Sequence, residues 1–97
     1  MKKHFTIVVK GKVQGVYFRR DTQIEARKLG VLGTVANQED GSVIIESEGE
    51  TSVLEAFLAW CNHGPALANV TSVEKTEGAL QHYTSFDVLA EPSDFLS

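Results

Sequence analysis

The apolar positions of this chain fall into two rhythms, one of period two and one of three to four residues. Residues 5–10 (FTIVVK) are mostly β-branched, with Phe5, Ile7 and Val9 on one face, which predicts a strand. Residues 19–29 (RRDTQIEARKL) are rich in helix formers. Phe18, Thr22, Ala26 and Leu29 recur at helical spacing and share one face. Gly30 follows as a helix stop, because glycine readily takes the left-handed conformation that ends a helix. Residues 31–37 (VLGTVAN) and 42–48 (SVIIESE) predict two further strands. In the second, Val43 and Ile45 point one way and Ile44, Glu46 and Glu48 the other. Between these strands Asp40-Gly41 is a hairpin signal, so they are expected to pair antiparallel.

A second helix is predicted from Ser52, where Ser52 and Glu55 have the spacing of a capping box. Val53 or Leu54, then Phe57, Leu58 and Cys61 make its apolar stripe, flanked by Trp60, and Gly64-Pro65 ends it. Residues 69–76 and 84–89 read as two more strands, the last with Phe86 and Val88 opposite Asp87. Residues 91–97 read as a flexible tail. The expected fold class is therefore α+β: a ferredoxin-like βαββαβ sandwich with a possible fifth strand, its antiparallel sheet covered on one face by two helices. That architecture hosts many functions and leaves this one open.

Composition narrows the choice. A chain of 97 residues is expected to form one domain, 1–97, with its core over about 5–90. The formal net charge of −4 argues against a general nucleic-acid or anionic-membrane binder. The single cysteine, Cys61, cannot form an internal disulfide and fits a cytoplasmic setting. The apolar run Phe5–Val9 is too short for a signal peptide, and no run approaches a transmembrane span. His4, His63 and His82 lack metal-ligand spacing and are expected in surface or capping roles. Glu46, Glu48 and Glu50 are expected to form a solvated strand face that protects an edge. Cys61 is expected to be a small buried hydrophobe.

One stretch stands apart: GKVQGVYFRR, residues 11–20, where a strand runs through a glycine turn into a helix. Such a turn presents unpaired N–H groups and the positive end of the helix dipole, which favour an anion. A guanidinium there adds a planar fork matched to phosphate or carboxylate oxygens. The competing reading is a turn with two solvated arginines, Arg19 and Arg20. Asn37, ahead of the Asp-Gly turn, is either a turn residue capping its own backbone or an amide that holds a water. If strand two lay beside strand one, Asn37 would end near the Gly15 loop.

The run Gly11-Lys12-Val13-Gln14-Gly15-Val16-Tyr17-Phe18-Arg19 closely resembles the acylphosphatase signature G-x-V-Q-G-V-x-F-R, with seven of nine positions matched. Gly33-Thr34-Val35-Ala36-Asn37, followed by Gly41 and Val43, resembles the second motif of that family. The resemblance implies metal-independent hydrolysis of an acyl phosphate to a carboxylate and inorganic phosphate. It implies Arg19 as the phosphate-binding arginine and Asn37 as the residue that orients water. It also implies that the backbone of Gln14, Gly15, Val16, Tyr17, Phe18 and Arg19 forms the phosphate loop. No cofactor is implied; the partner is a small acyl phosphate, with no nucleic acid or membrane, and the chain is expected to be a monomer. Thr34 departs from the family, which usually has an aromatic residue there, and is expected to alter packing at the loop. In some family members the chain end pairs with the arginine; here eight residues follow Leu89. The alternative is a non-catalytic phosphate- or carbamoyl-phosphate-binding module of the same fold. An RNA-binding ferredoxin-like domain would need exposed aromatics in a basic surface, and the sequence has neither.

Overall fold

The computed structural model describes residues 1–90; the tail expected over 91–97 lies outside the described residues. The elements run β1 (Lys2–Lys12), α1 (Phe18–Leu29), β2 (Leu32–Asn37), β3 (Val43–Glu50), α2 (Thr51–His63), β4 (Asn69–Gly78) and β5 (Phe86–Val88). The strands form one sheet in the order β4-β1-β3-β2-β5.

Period-two alternation places Phe5, Ile7 and Val9 of β1, Val35 of β2 and Val43 and Ile45 of β3 on one buried face. Both helices cover that face. α1 packs over β2 and β5, and α2 over β1, β3 and β4. α1 buries Phe18, Thr22 and Ala26, with Leu29 packed against the core, as its spacing predicted. α2 buries Leu54, Phe57 and Cys61. Phe57 meets Phe86 edge-on with ring centroids 6.0 Å apart, and Trp60 lies 5.9 Å from Phe18, so aromatic contacts join α2 to β5 and the two helices to each other. Gly33 allows the close packing of β2 on β3, since a Cβ there would lie 1.8 Å from the Glu46 carbonyl oxygen.

Three expectations about the elements need correction, and one condition posed for them is not met. The sheet is mixed rather than antiparallel: β1, β3, β2 and β4 pair antiparallel, but β5 runs parallel to β2. The chain leaves β4 at one edge and must cross to the opposite edge, where it enters β5 in the direction of β2. Strand two does not lie beside strand one, because β3 is inserted between them. The capping box does not form. α2 starts directly from β3 with Glu50 as N-cap and no side-chain cap bond. Its first turn is tied instead by Thr51, whose N–H and hydroxyl both donate to the Met1 carbonyl, at 3.1 and 2.8 Å. Thr34 lies mid-strand on the uncovered sheet face, in register with Glu46 and Asp87, and not at the loop.

The acidic run and His4 are corrected together. β3 is the central strand, so Glu46, Glu48 and Glu50 guard no edge. Glu48 and His4 are directly opposite across β3 and β1, and both are buried. His4 Nδ1 donates to Glu48 Oε2 at 2.8 Å, since an ionised carboxylate only accepts. The same carboxylate accepts the backbone N–H groups of Gln81 and Tyr83. It thereby fastens the 79–85 connection as it crosses the sheet. Burial alone would raise the Glu48 carboxyl, but the N–H of Gln81, His4 and the N–H of Tyr83 outweigh it and hold the group below its ordinary value.

Candidate active site

Strand direction decides what meets at one end of the sheet. β1 and β2 are each antiparallel to β3 and hence parallel to each other, and β5 is parallel to β2. The C-terminal ends of β1, β2 and β5 therefore emerge together. The 13–17 loop follows β1, Asn37 ends β2, and Leu89 follows β5. A cavity of about 400 Å³ opens there, lined by the 13–17 loop, the start of α1, Asn37 and Val88 at the end of β5.

The loop is shaped by backbone conformation. Gly15 has φ of +73°, which a glycine adopts without cost. Val13, Val16 and Phe18 are buried and anchor the loop to the core. Tyr17 is the N-cap of α1 in a left-handed conformation, φ 63° and ψ 20°, with no side-chain hydrogen bond capping the helix. The leading N–H groups of α1, which a helix leaves without an intrahelical acceptor, are thus not capped by the Tyr17 side chain. The cavity wall includes Gly15, Tyr17, Phe18, Arg19, Arg20 and Asn37.

Asn37 reaches this wall by the same alternation that built the core. It shares a face with Gly33 and Val35 and lies just beyond the buried part of β2. Arg19 is half-buried, and its Nη1 donates to the Leu89 carbonyl at 3.1 Å. Leu89 is held in turn by its own N–H, bonded to the Val35 carbonyl at 2.8 Å. Arg20 is more exposed: its Nε donates to Asp21 Oδ1 at 3.2 Å, and its guanidinium lies 4.4 Å from the centroid of the Tyr17 ring.

Two supports were not legible in the sequence. The Gln14 side chain does not face the cavity. Its Nε2 donates to the carbonyls of Gln38 and Ser42, both at 2.8 Å, and so bolts the loop to the β2–β3 turn next to Asn37. That turn is itself braced by Asp40, whose Oδ1 accepts from the N–H and hydroxyl of Ser42 at 2.9 and 2.6 Å; these bonds hold its carboxyl below the ordinary value. The Leu89 carbonyl that steadies Arg19 is the second. Neither has a residue-type signal, because one is a common amide and the other a backbone group.

Elsewhere the chemistry is sparse. Burial, with Glu25 adding to it, pushes the Cys61 thiol up to about 12, far from a reactive thiolate. Among the described residues no cluster of His, Cys, Asp or Glu is arranged to hold a metal ion. Among them, no helix is long and apolar enough to cross a membrane.

The acylphosphatase family profile matches residues 5–88. The chain belongs to the acylphosphatase family. A protein of Nocardioides sp. named acylphosphatase is 42% identical over 88 residues, covering 91% of this chain and 89% of the relative. The crystal structure of acylphosphatase from Bacillus subtilis superposes with a TM-score of 0.88 at 35% identity, over 93% of this chain and all of that one. The acylphosphatase fold is also similar to part of full-length HypF, crystallised in a phosphate- and nucleotide-bound form. There the TM-score is 0.84 at 27% identity, over 93% of this chain but 12% of that one. The acylphosphatase relatives thus include proteins of this length as well as a much larger chain.

Proposed function

We propose that the chain hydrolyses acyl phosphates, with the phosphoryl group seated on the 14–19 backbone and Arg19, and water aimed by Asn37. The observation that carries this reading is a single cavity lined by the glycine loop, the N-terminus of α1, Arg19 and Asn37. Family membership supports the reaction; the residue roles are those the motif resemblance implies, and the shared cavity is compatible with them.

An acyl phosphate is a mixed anhydride whose leaving group is a carboxylate. Acids of this kind have a pKa of about 4, so the leaving oxygen departs without protonation. The site then has two tasks. It must steady the charge on the non-bridging phosphoryl oxygens and hold a water in line with the bond that breaks. The α1 N–H groups and the Arg19 fork suit the first. The Asn37 amide suits the second, because it can orient a water through a hydrogen bond without being a base. The water oxygen bonds to phosphorus as the bond from phosphorus to the acyl oxygen breaks. The water proton passes to a phosphoryl oxygen, leaving inorganic phosphate and a carboxylate.

The test is hydrolysis of benzoyl phosphate with EDTA present and inorganic phosphate as competitor. Full activity in EDTA and competitive inhibition by phosphate are expected; activity lost to chelation would overturn the mechanism. Arg19→Ala should lower turnover by at least about 10²-fold, the scale of one lost oxyanion donor. Retained wild-type turnover would remove Arg19 from its role. Phosphate binding without turnover by the wild type would instead favour a non-catalytic binding module.

The same reading takes the chain as one domain acting as a cytoplasmic monomer. Sedimentation at assay concentrations tests the monomer, fractionation of the source cells tests the compartment, and a single calorimetric transition tests the one domain.

A further inference from the structure

We infer that Tyr17 and Arg20 form a subsite for the acyl part of the substrate, and that it favours acyl phosphates bearing a second anionic group such as a distal carboxylate. This rests on the reading of the cavity as the phosphoryl site.

The cavity, at about 400 Å³, is in the size range of small-molecule sites. A phosphoryl group seated at the loop and Arg19 leaves the rest of that space for the acyl group. The two arginines differ in setting. Arg19 is half-buried and steadied by Leu89, whereas the Arg20 side chain is 62% exposed. Arg20 and Tyr17 both line the cavity, and Tyr17 is also exposed, which puts the pair at its mouth. Tyr17 is held there in a left-handed backbone conformation that few bulky residues adopt. Its ring supports no core contact that would explain a tyrosine in that conformation. It does support Arg20, whose guanidinium carbon lies over the ring, 4.4 Å from its centroid.

The contact with the ring holds the guanidinium at the cavity mouth and leaves its terminal nitrogens for a ligand. Among the described residues only Nε is engaged, by Asp21, and the terminal nitrogens make no hydrogen bond. A planar edge held in place is the geometry that takes a carboxylate in a paired, charge-assisted fashion. A neutral acyl chain gains nothing comparable. Asp21 offsets part of the Arg20 charge, so the preference should be moderate, and it should weaken with added salt because the pair is exposed.

The test compares 4-carboxybenzoyl phosphate with benzoyl phosphate in the wild type, Arg20→Gln, Arg20→Glu and Tyr17→Asn; asparagine tolerates the left-handed backbone. The readout is the ratio of kcat/KM values for the two substrates. Comparing ratios between proteins cancels the intrinsic reactivity of each substrate. The wild-type ratio should favour the carboxylated substrate, and Arg20→Gln should lower it about fivefold, the size of a partly exposed charge pair. Arg20→Glu should lower it further, and Tyr17→Asn should fall between wild type and Arg20→Gln. A ratio unchanged by Arg20→Gln, with both substrates hydrolysed, overturns the subsite alone. Failure of the wild type to hydrolyse either substrate removes the phosphoryl-site reading, and the subsite with it.

Discussion

Arg19 and Arg20 are neighbours in sequence with unlike surroundings. One is braced by the Leu89 carbonyl and the other lies over the ring of a tyrosine in a left-handed conformation. Asn37 and Gln14 divide similarly, although both are amides. Asn37 lies on the cavity wall, whereas Gln14 turns away and ties the loop to the adjacent hairpin turn. Their substitutions should separate. Asn37→Ala should lower kcat while leaving the inhibition constant of phosphate within about threefold, because it removes an aim on water rather than a phosphoryl contact. Equal loss in kcat and phosphate affinity would count against that role. Gln14→Ala removes one of two donors at each of the Gln38 and Ser42 carbonyls, which keep the N–H groups of Gly41 and Gln38. It should cost about 1 kcal/mol of stability, read by urea unfolding, and lower kcat by loosening the loop against Asn37. The signature motif made Arg19 legible as a candidate, and the second motif Asn37. The side-chain bonds of Gln14 were not legible, since its partners lie 24 and 28 residues away in sequence.

The 79–85 connection is the element that most needs a tertiary partner. It carries little apolar surface of its own inward, and its residues are largely exposed apart from Tyr83. Glu48, on the central strand, holds it by two backbone N–H groups and is itself held by His4. The folded-state value of the Glu48 carboxyl is depressed, so its contribution is present above the ordinary glutamate range of about 4.3. It is lost as pH falls from there through the folded value. Urea midpoints measured from pH 6 down to pH 3 should fall, and Glu48→Gln should flatten that dependence. An equal slope in the variant would show that Glu48 is not the group responsible. Glu48→Ala, which strands His4 and both N–H groups, should cost about 3 kcal/mol. Because the connection leads into β5 and on to Leu89, the same change should also reach Arg19 and lower activity beyond what stability explains.

For the molecule as a whole, the site is assembled from three parallel strand ends rather than from one motif, so ligand and fold are coupled. Inorganic phosphate should raise unfolding free energy by about 2.7 kcal/mol at one hundred times its Kd, and Arg19→Ala should abolish most of that gain. An equal gain in the variant would place the phosphate elsewhere. Element types, the core faces of both helices and of β1, β3 and β5, and the glycine loop were readable from residues 5 to 89, because periodicity and turn chemistry are short-range properties of the chain. Pairing was not. That β3 separates β1 from β2, that β5 joins parallel to β2, and that His4 and Glu48 are buried together depend on contacts between distant residues. Local alternation says which face a side chain takes but not which strand lies beside it. Asn37 and the Gly15 loop meet because strand order and direction carry them to the same end of the sheet.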